Sequence, residues 1–299
     1  MGDRLAVPAL LSDWLFTSAF GVYMFAALLC SAEYALTRHA ANPPAFAVRV
    51  GRAGVALTVL GGLLHLGSVV LRGVATGRVP WGNMYEYLSA VGLIAVVAWL
   101  YVVSRYDMRR MSVFVLLPIA SLLFLAGNRL YAEAAPLVPP LRSYWIVVHV
   151  AAAIMASGVF LLSGVVSALH LVSSGEFSRK GDELSGKGGP SRRLPPVEHL
   201  DKIAYRTGAV GFLTLTFAII TGAVWAEQAW GRFWGWDPKE TVAFVSWVCY
   251  AAYLHARATA GWRGRRSAWL NVVGLVVVLF NLFFVNLVAV GLHSYAGVD

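Results

Sequence analysis

Four tryptophans, Trp225, Trp230, Trp234 and Trp236, fall within twelve residues in the run WAEQAWGRFWGWDPKE. An indole joins a broad apolar face to a single N–H donor, so tryptophan gathers at membrane–water boundaries and wherever a flat aromatic ligand is held. Two boundary tryptophans would be ordinary anchoring. Four beside Gly231, Gly235 and Asp237-Pro238-Lys239-Glu240 describe a shaped surface. The chain also has seven histidines, whose neutral imidazole nitrogens are common metal ligands. Cys30 and Cys249 stand far apart with no C-x-x-C spacing, so they read as buried apolar thiols rather than a zinc site or an exchanging pair.

Membrane spans are what hold these residues in place. With 59% hydrophobic and 13% charged residues and a mean hydropathy of +0.67, the chain cannot cover a water-soluble surface of ordinary polarity. Apolar runs of roughly 17–25 residues cross a bilayer as helices, because the backbone finds no hydrogen-bond partner in lipid. Eight such runs are predicted, at about 14–37, 52–71, 84–104, 112–127, 144–172, 203–225, 241–260 and 269–292. The first begins too late and runs too long for a cleaved signal peptide. The fold class is therefore all-α, a polytopic transmembrane bundle of about eight spans forming one integral membrane domain over residues 1–299. Residues 173–200, rich in Gly, Ser and charge, read as a flexible loop dividing five spans from three.

Charge sets the orientation. Seventeen of the 24 Lys and Arg residues follow the first, third, fifth and seventh runs, which makes that side cytoplasmic by the positive-inside rule. Both termini and the tryptophan-rich loop, residues 225–240, are then on the outer face. The net charge of +9 reads as a topology signal, with no nucleic-acid partner implied.

Depth sorts the histidines. His39, His170 and His199 fall at cytoplasmic loops or helix ends, where solvation accounts for them. His149, about one turn into the fifth run, and His293, at the end of the eighth, share the level of the tryptophan loop. His255 lies on the order of 20 Å from the outer surface, among apolar neighbours, where an ionisable group marks a functional site or a helix-to-helix hydrogen bond. His65, in the second run, sits at a different depth from His255. Two imidazoles at one level beside indoles are what a bis-histidine haem site requires, with apolar cover for the macrocycle and cations for its propionates. His149 and His293 can supply the axial nitrogens, Trp230, Trp234 and Trp236 the cover, and Arg129, Arg142, Arg232 and Lys239 the cations. Interfacial histidines also commonly just bond water or backbone, and both readings stand. Asp237-Pro238-x-Glu240 independently reads as a capping box with proline at the first helical position, which fixes the loop against the seventh helix.

The segment Trp230-Gly231-Arg232-Phe233-Trp234-Gly235-Trp236-Asp237-Pro238-Lys239-Glu240 resembles the tryptophan-rich WWD signature of the haem-handling proteins of cytochrome c maturation. The rest of the chain resembles the CcsA/ResC branch of that superfamily, in the two-component system II pathway. Supporting stretches are Trp81-Gly82-Asn83-Met84-Tyr85-Glu86, Tyr144-Trp145 with His149, Tyr253-Leu254-His255-Ala256-Arg257 and Gly291-Leu292-His293-Ser294-Tyr295.

The resemblance implies residence in the bacterial cytoplasmic membrane and haem b as a transported substrate. It implies His149 and His293 as axial ligands at the outer face, beside Trp225, Trp230, Trp234, Trp236 and Asp237. His255 is implied as a ligand to a second haem in the membrane, opposite a ligand from a CcsB/ResB-type partner; His65 is a weaker metal-ligand candidate. Apocytochromes bearing Cys-x-x-Cys-His are the implied acceptors, with thiol-reducing proteins in the pathway and this chain as the haem-presenting subunit of a ligase. Two alternatives are a CcmC-like haem transporter without ligation and a membrane b-type di-haem electron-transfer subunit.

Overall fold

The computed structural model describes residues 2–38, 40, 42–135, 141–174, 197–289 and 292–293. The described residues form eight long helices: α1 (Gly2–Thr37), α2 (Ala45–Thr76), α3 (Met84–Arg105), α4 (Ser112–Arg129), α5 (Tyr144–Ser173), α6 (Val197–Trp230), α7 (Pro238–Ala258) and α8 (Arg265–Leu287). A short 3-10 turn, Arg109–Met111, precedes α4, and no strand occurs among the described residues. α1 lies along α2 and α5 along α6; α3 packs on both α4 and α5, and α8 packs on α5 and α7. The predicted runs correspond to these helices, several of which extend past the apolar stretch. The long loop shows this best. Residues 175–196 lie outside the described set, but Val197–Leu200, expected as loop, already form the first turn of α6.

Seven of the eight helices are long and apolar enough to cross a membrane. The exception is α7, whose 21 residues include Lys239, Glu240, His255 and Arg257. Its packing nevertheless takes it through the full thickness of the bundle. At its start Asp237 bonds His293, beyond the end of α8. Near its other end Arg257 makes a two-pronged pair with Asp201 in α6, at 2.6 and 2.7 Å, and reaches Ser267 in the first turn of α8. The 21 residues rise ~31 Å, about one hydrocarbon core, and the polar side chains gather at the two ends.

α2 is inside-out relative to a soluble helix, while α3, α4 and α5 bury large apolar side chains such as Leu88, Ile119 and Leu162. On α2 the buried stripe is Ala47, Gly51, Gly54, Thr58, Gly61, His65, Ser68 and Arg72, spaced three and four apart. The exposed stripe is Val59, Leu60, Leu63, Leu66, Val70 and Val74. Lipid tails satisfy leucine as well as a protein core does, so small residues that let helices close up, and polar ones that bond across, take the interior. Added Cβ atoms at Gly54 and Gly61 would stand 2.7 Å from the Cys30 sulfur and the Tyr23 ring of α1.

Buried charges are paired at both ends. Glu86, capped into α3 by the Asn83 side chain, takes Arg72 at 3.0 Å, Arg78 at 2.8 Å and the Gly82 N–H at 2.8 Å. At the opposite end Glu33 pairs with Arg109 at 2.8 Å. Between them Asn271 of α8 donates to Ser163 and Ser167 of α5, each at 2.8 Å.

Candidate functional site

The tryptophan-rich stretch is built as a clamp between two helix ends. α6 continues through Trp225 to Trp230 and stops at Gly231, whose φ of +71° and N–H to the Glu227 carbonyl make a left-handed glycine stop. The connecting loop is thus 231–237, shorter than the 225–240 expected, because two of the tryptophans belong to the helix. Asp237 caps α7 and Glu240 folds back, its Oε2 accepting the N–H groups of Gly235 at 2.8 Å and Asp237 at 3.1 Å. Arg232 lies directly over Gly235, leaving no room for a Cβ there. Trp236 is the one non-glycine residue at positive φ among the described residues, +58°. That costs about 1–3 kcal/mol, and the capping box around it holds the conformation in place.

Asp237 does more than cap. Its Oδ1 accepts the Lys239 N–H at 3.0 Å and His293 Nδ1–H at 2.9 Å, while Oδ2 accepts the Leu292 N–H at 2.8 Å. Burial works against its charge, but the N–H groups of Leu292 and Lys239 and the His293 ring outweigh it and hold the carboxyl below the usual range. His293 is itself lowered, chiefly by burial and against the pull of Asp237. The result is a neutral imidazole whose proton is fixed on Nδ1 and whose Nε2 lone pair is free. His149 is oriented by another route. Its Nδ1 lies 2.8 Å from the Ala218 carbonyl oxygen, which can only accept, so the ring's Nδ1 carries a proton and the lone pair of the neutral tautomer is on Nε2. Gly222 makes space for this ring: a Cβ there would lie 2.6 Å from two of its atoms.

Trp225 joins the two imidazoles. Its buried ring stacks parallel to His149 at 6.1 Å and meets His293 edge-on at 5.7 Å. Trp230 packs on Trp225 at 4.7 Å and on His293 at 4.9 Å. The other two tryptophans form a separate group. Trp234 and Trp236 cross each other at 5.7 Å and pack against Phe244, which stacks on Trp247. Trp236 is 66% exposed.

Two cavities flank the imidazole pair, and both rings line both of them. One, about 130 Å³, opens beneath Phe233 and Trp234 and runs down between α5, α6, α7 and α8 past Ala153, Phe160 and Leu215. The other, about 140 Å³, lies between Trp81–Met84, Tyr87, Ile146 and Trp225. Lys239 lines both; Arg129, Arg142 and Arg232 line neither. Two free Nε2 atoms, stacked indoles and a nearby ammonium fit the ligands, faces and carboxylates of a haem.

The remaining histidines are elsewhere. His65 is fully buried with both nitrogens engaged, Nε2 with Ser89 at 2.9 Å and Nδ1 with Tyr23 at 3.4 Å, and its ring edges Phe16. That is an interhelical polar contact and leaves no lone pair facing a cavity. His255 is on the last turn of α7 and exposed, nearer the helix end than the depth expected, because α7 ends at Ala258. His170 is buried, not solvated: it is 1% exposed, with Nδ1 3.2 Å from the Val197 carbonyl. His199 is exposed on α6, while His39, Gly291, Ser294 and Tyr295 lie outside the described residues. Sequence reasoning missed the Asp237–His293 bond, the Ala218 and Gly222 seat for His149, and the place of Tyr87 in both cavities.

The fold and this site define an integral membrane protein with a histidine- and tryptophan-lined pocket at one end of a helical bundle. A profile described as cytochrome C assembly protein matches residues 81–293. A relative from Synechococcus sp. (strain RCC307), a cytochrome c biogenesis protein CcsA, is 36% identical over 97% of this chain and 98% of its own length. The CcsA of Parasynechococcus marenigrum (strain WH8102) is 39% identical over 80% of this chain and 85% of its own. Among solved structures, the cytochrome c heme lyase CcmF superposes with a TM-score of 0.65 at 15% identity, over 92% of this chain and 46% of that one. The chain therefore belongs to the cytochrome c assembly family, and its work lies in cytochrome c maturation.

Proposed function

We propose that this chain binds haem b as a substrate between His149 and His293 at the outer membrane face and presents it there for attachment to apocytochromes. The observation that carries the reading is the pair of imidazoles, each with Nδ1 tied to an oxygen and Nε2 left for a metal, lining the same cavities beside Trp225. An Nδ1–H held by carbonyl or carboxylate is how proteins orient a metal-binding histidine. Trp225 and Trp230 back the rings, and the Phe233–Trp236 loop, locked by Glu240, forms the exposed lip at which an acceptor docks.

The chemistry asked of this chain is positioning. The acceptor brings two Cys thiols and a His in a Cys-x-x-Cys-His segment. Each S–H adds across one haem vinyl group, forming a C–S bond and a C–H bond as the C=C bond becomes single, with no net redox change. The acceptor His then replaces one of this chain's imidazoles and the product leaves. His255, exposed on α7, is open to a CcsB/ResB-type partner that supplies the opposite ligand of a second haem on the path from the cytoplasmic side. Thiol-reducing proteins keep the acceptor cysteines as thiols.

Co-expression with a CcsB/ResB-type subunit and a Cys-x-x-Cys-His reporter, in cells without their own maturation system, tests this. Covalent haem on the reporter is expected. Haem that copurifies with the complex but never becomes covalent on the reporter overturns ligation in favour of a transporter.

A further inference from the structure

Two axial imidazoles fix the plane and centre of a macrocycle but leave it free to spin about the axis between them. Attachment through vinyl groups needs one edge of the ring to face outward, so something off the axis must set the rotation. The two cavities differ in a way that does this. The cavity beneath Phe233 and Trp234 is the more apolar of the two, walled by Ala153, Phe160, Leu215, Ile219 and Val278, with Ser157, Ser246, Lys239 and Glu240 among its polar points. The cavity beside the start of α3 has two donors on its wall without an anionic partner: Trp81, which does not line the other cavity, and Lys239, which lines both. Trp81 Nε1 is buried with no hydrogen-bond partner among the described residues. The Lys239 ammonium makes no ion pair among them and reaches just the main-chain oxygen of Asn281, at 3.4 Å.

The neighbouring carboxylates are already committed. Asp237 is taken by His293 and two backbone N–H groups, and Glu240 by two more. Indole N–H and ammonium can donate but never accept, and a cation held away from water without a counter-charge is costly. An occupant that satisfies both must bring acceptors and negative charge, and a carboxylate brings both.

We propose that the cavity beside α3 seats the propionate edge of the haem, with Lys239 Nζ and Trp81 Nε1 as its donors, which turns the opposite, vinyl-bearing edge toward Phe233 and Trp234. Propionates and vinyls sit on opposite pairs of pyrroles, so anchoring one edge aims the other. The anchor and one axial ligand also hang from one oxygen, since Asp237 Oδ1 accepts from both the Lys239 backbone and His293. The inference rests on haem binding at His149 and His293 and adds its orientation.

The test is absorption titration of the full chain in detergent with ferric haem and with haem dimethyl ester, in native, Lys239→Met, Lys239→Arg and Trp81→Phe forms. Esterification is expected to weaken native binding about 10- to 100-fold, the size of a lost charge-assisted hydrogen bond. Lys239→Met should bind free haem that much more weakly and no longer distinguish acid from ester, while Lys239→Arg keeps most of the distinction and Trp81→Phe loses a smaller part. All four proteins should keep the low-spin bis-imidazole spectrum. An ester penalty undiminished in Lys239→Met, or an equal loss for acid and ester, overturns the proposal and leaves the ligand pair standing. A native chain that gives no low-spin spectrum with either compound removes both.

Discussion

Replacing Asp237 with Asn separates the cap of α7 from the charge behind His293. Asn is as good an N-cap as Asp, so the helix start and the Glu240 clasp should survive. The carboxylate, however, serves three donors with two acceptor oxygens: His293 Nδ1–H at 2.9 Å and the Lys239 N–H on one, the Leu292 N–H at 2.8 Å on the other. An amide offers one oxygen and turns its NH2 toward a donor, so at least one of these bonds is lost. The bond to His293 also falls from a charge-assisted one of about 1.5–3 kcal/mol to a neutral one of about 0.5–1.5. The difference of about 1–2 kcal/mol is roughly a 5- to 30-fold loss of haem affinity, in line with the roughly 10- to 100-fold typical of lost partners behind a metal-binding His.

Absorption titration at pH 7 reads that loss, and the haem midpoint potential should rise as the anion behind the ligand disappears. The pH profile adds a sign. His293 is held below the ordinary imidazole value of about 6.5, so haem affinity and the stability due to its neutral form are complete at neutral pH and fall as acid protonates the ring. Asp237 opposes that lowering, so Asp237→Asn should move the acid limb to still lower pH while weakening binding at pH 7. Native affinity together with a native potential in Asp237→Asn would mean that the carboxylate does not act on haem through His293.

Three further outcomes follow. Gly222→Ala places a methyl 2.6 Å from the His149 ring and should abolish the low-spin haem spectrum while the folded yield in detergent stays close to native. His65→Ala breaks the contacts to Ser89 and Tyr23 and should lower the melting temperature by a few degrees, on the scale of 1–3 kcal/mol for an unsatisfied buried partner, with the haem-to-protein ratio unchanged. Glu86→Gln leaves Arg72, 3% exposed, with the Asp13 carboxylate at 3.9 Å as its remaining anion; a loss approaching the roughly 3–5 kcal/mol of a broken buried pair should show as poor recovery of folded protein by size-exclusion chromatography.

Much of this was legible in the chain. Seven of the helices follow from apolar run length, and the start of α7, the least apolar, from Asp237-Pro238-x-Glu240, a purely local signal. The level shared by His149, His293 and the tryptophans follows from counting residues along helices. What local pattern could not carry is contact at long range. The Asp237–His293 bond joins residues 56 apart, and the Ala218 carbonyl that orients His149 is 69 away. The tryptophans looked like one surface because they are close in sequence. Trp225 and Trp230 turn inward on α6, however, and a left-handed Trp236 turns the other pair toward Phe244. His170 looked solvated because it ends a span, yet the Val197 backbone covers it; the span boundary gave no sign that α6 begins there.

If His149 and His293 together ligate one haem, the absorption spectrum of the purified complex carrying His149→Gly or His293→Gly, recorded before and after adding imidazole, reads the loss of either ligand. Each variant should lose the low-spin bis-histidine bands of the outer haem and regain them when free imidazole fills the vacated position, while the contribution of a haem at His255 persists. An unchanged low-spin spectrum in both variants, with full reporter maturation, would contradict the account.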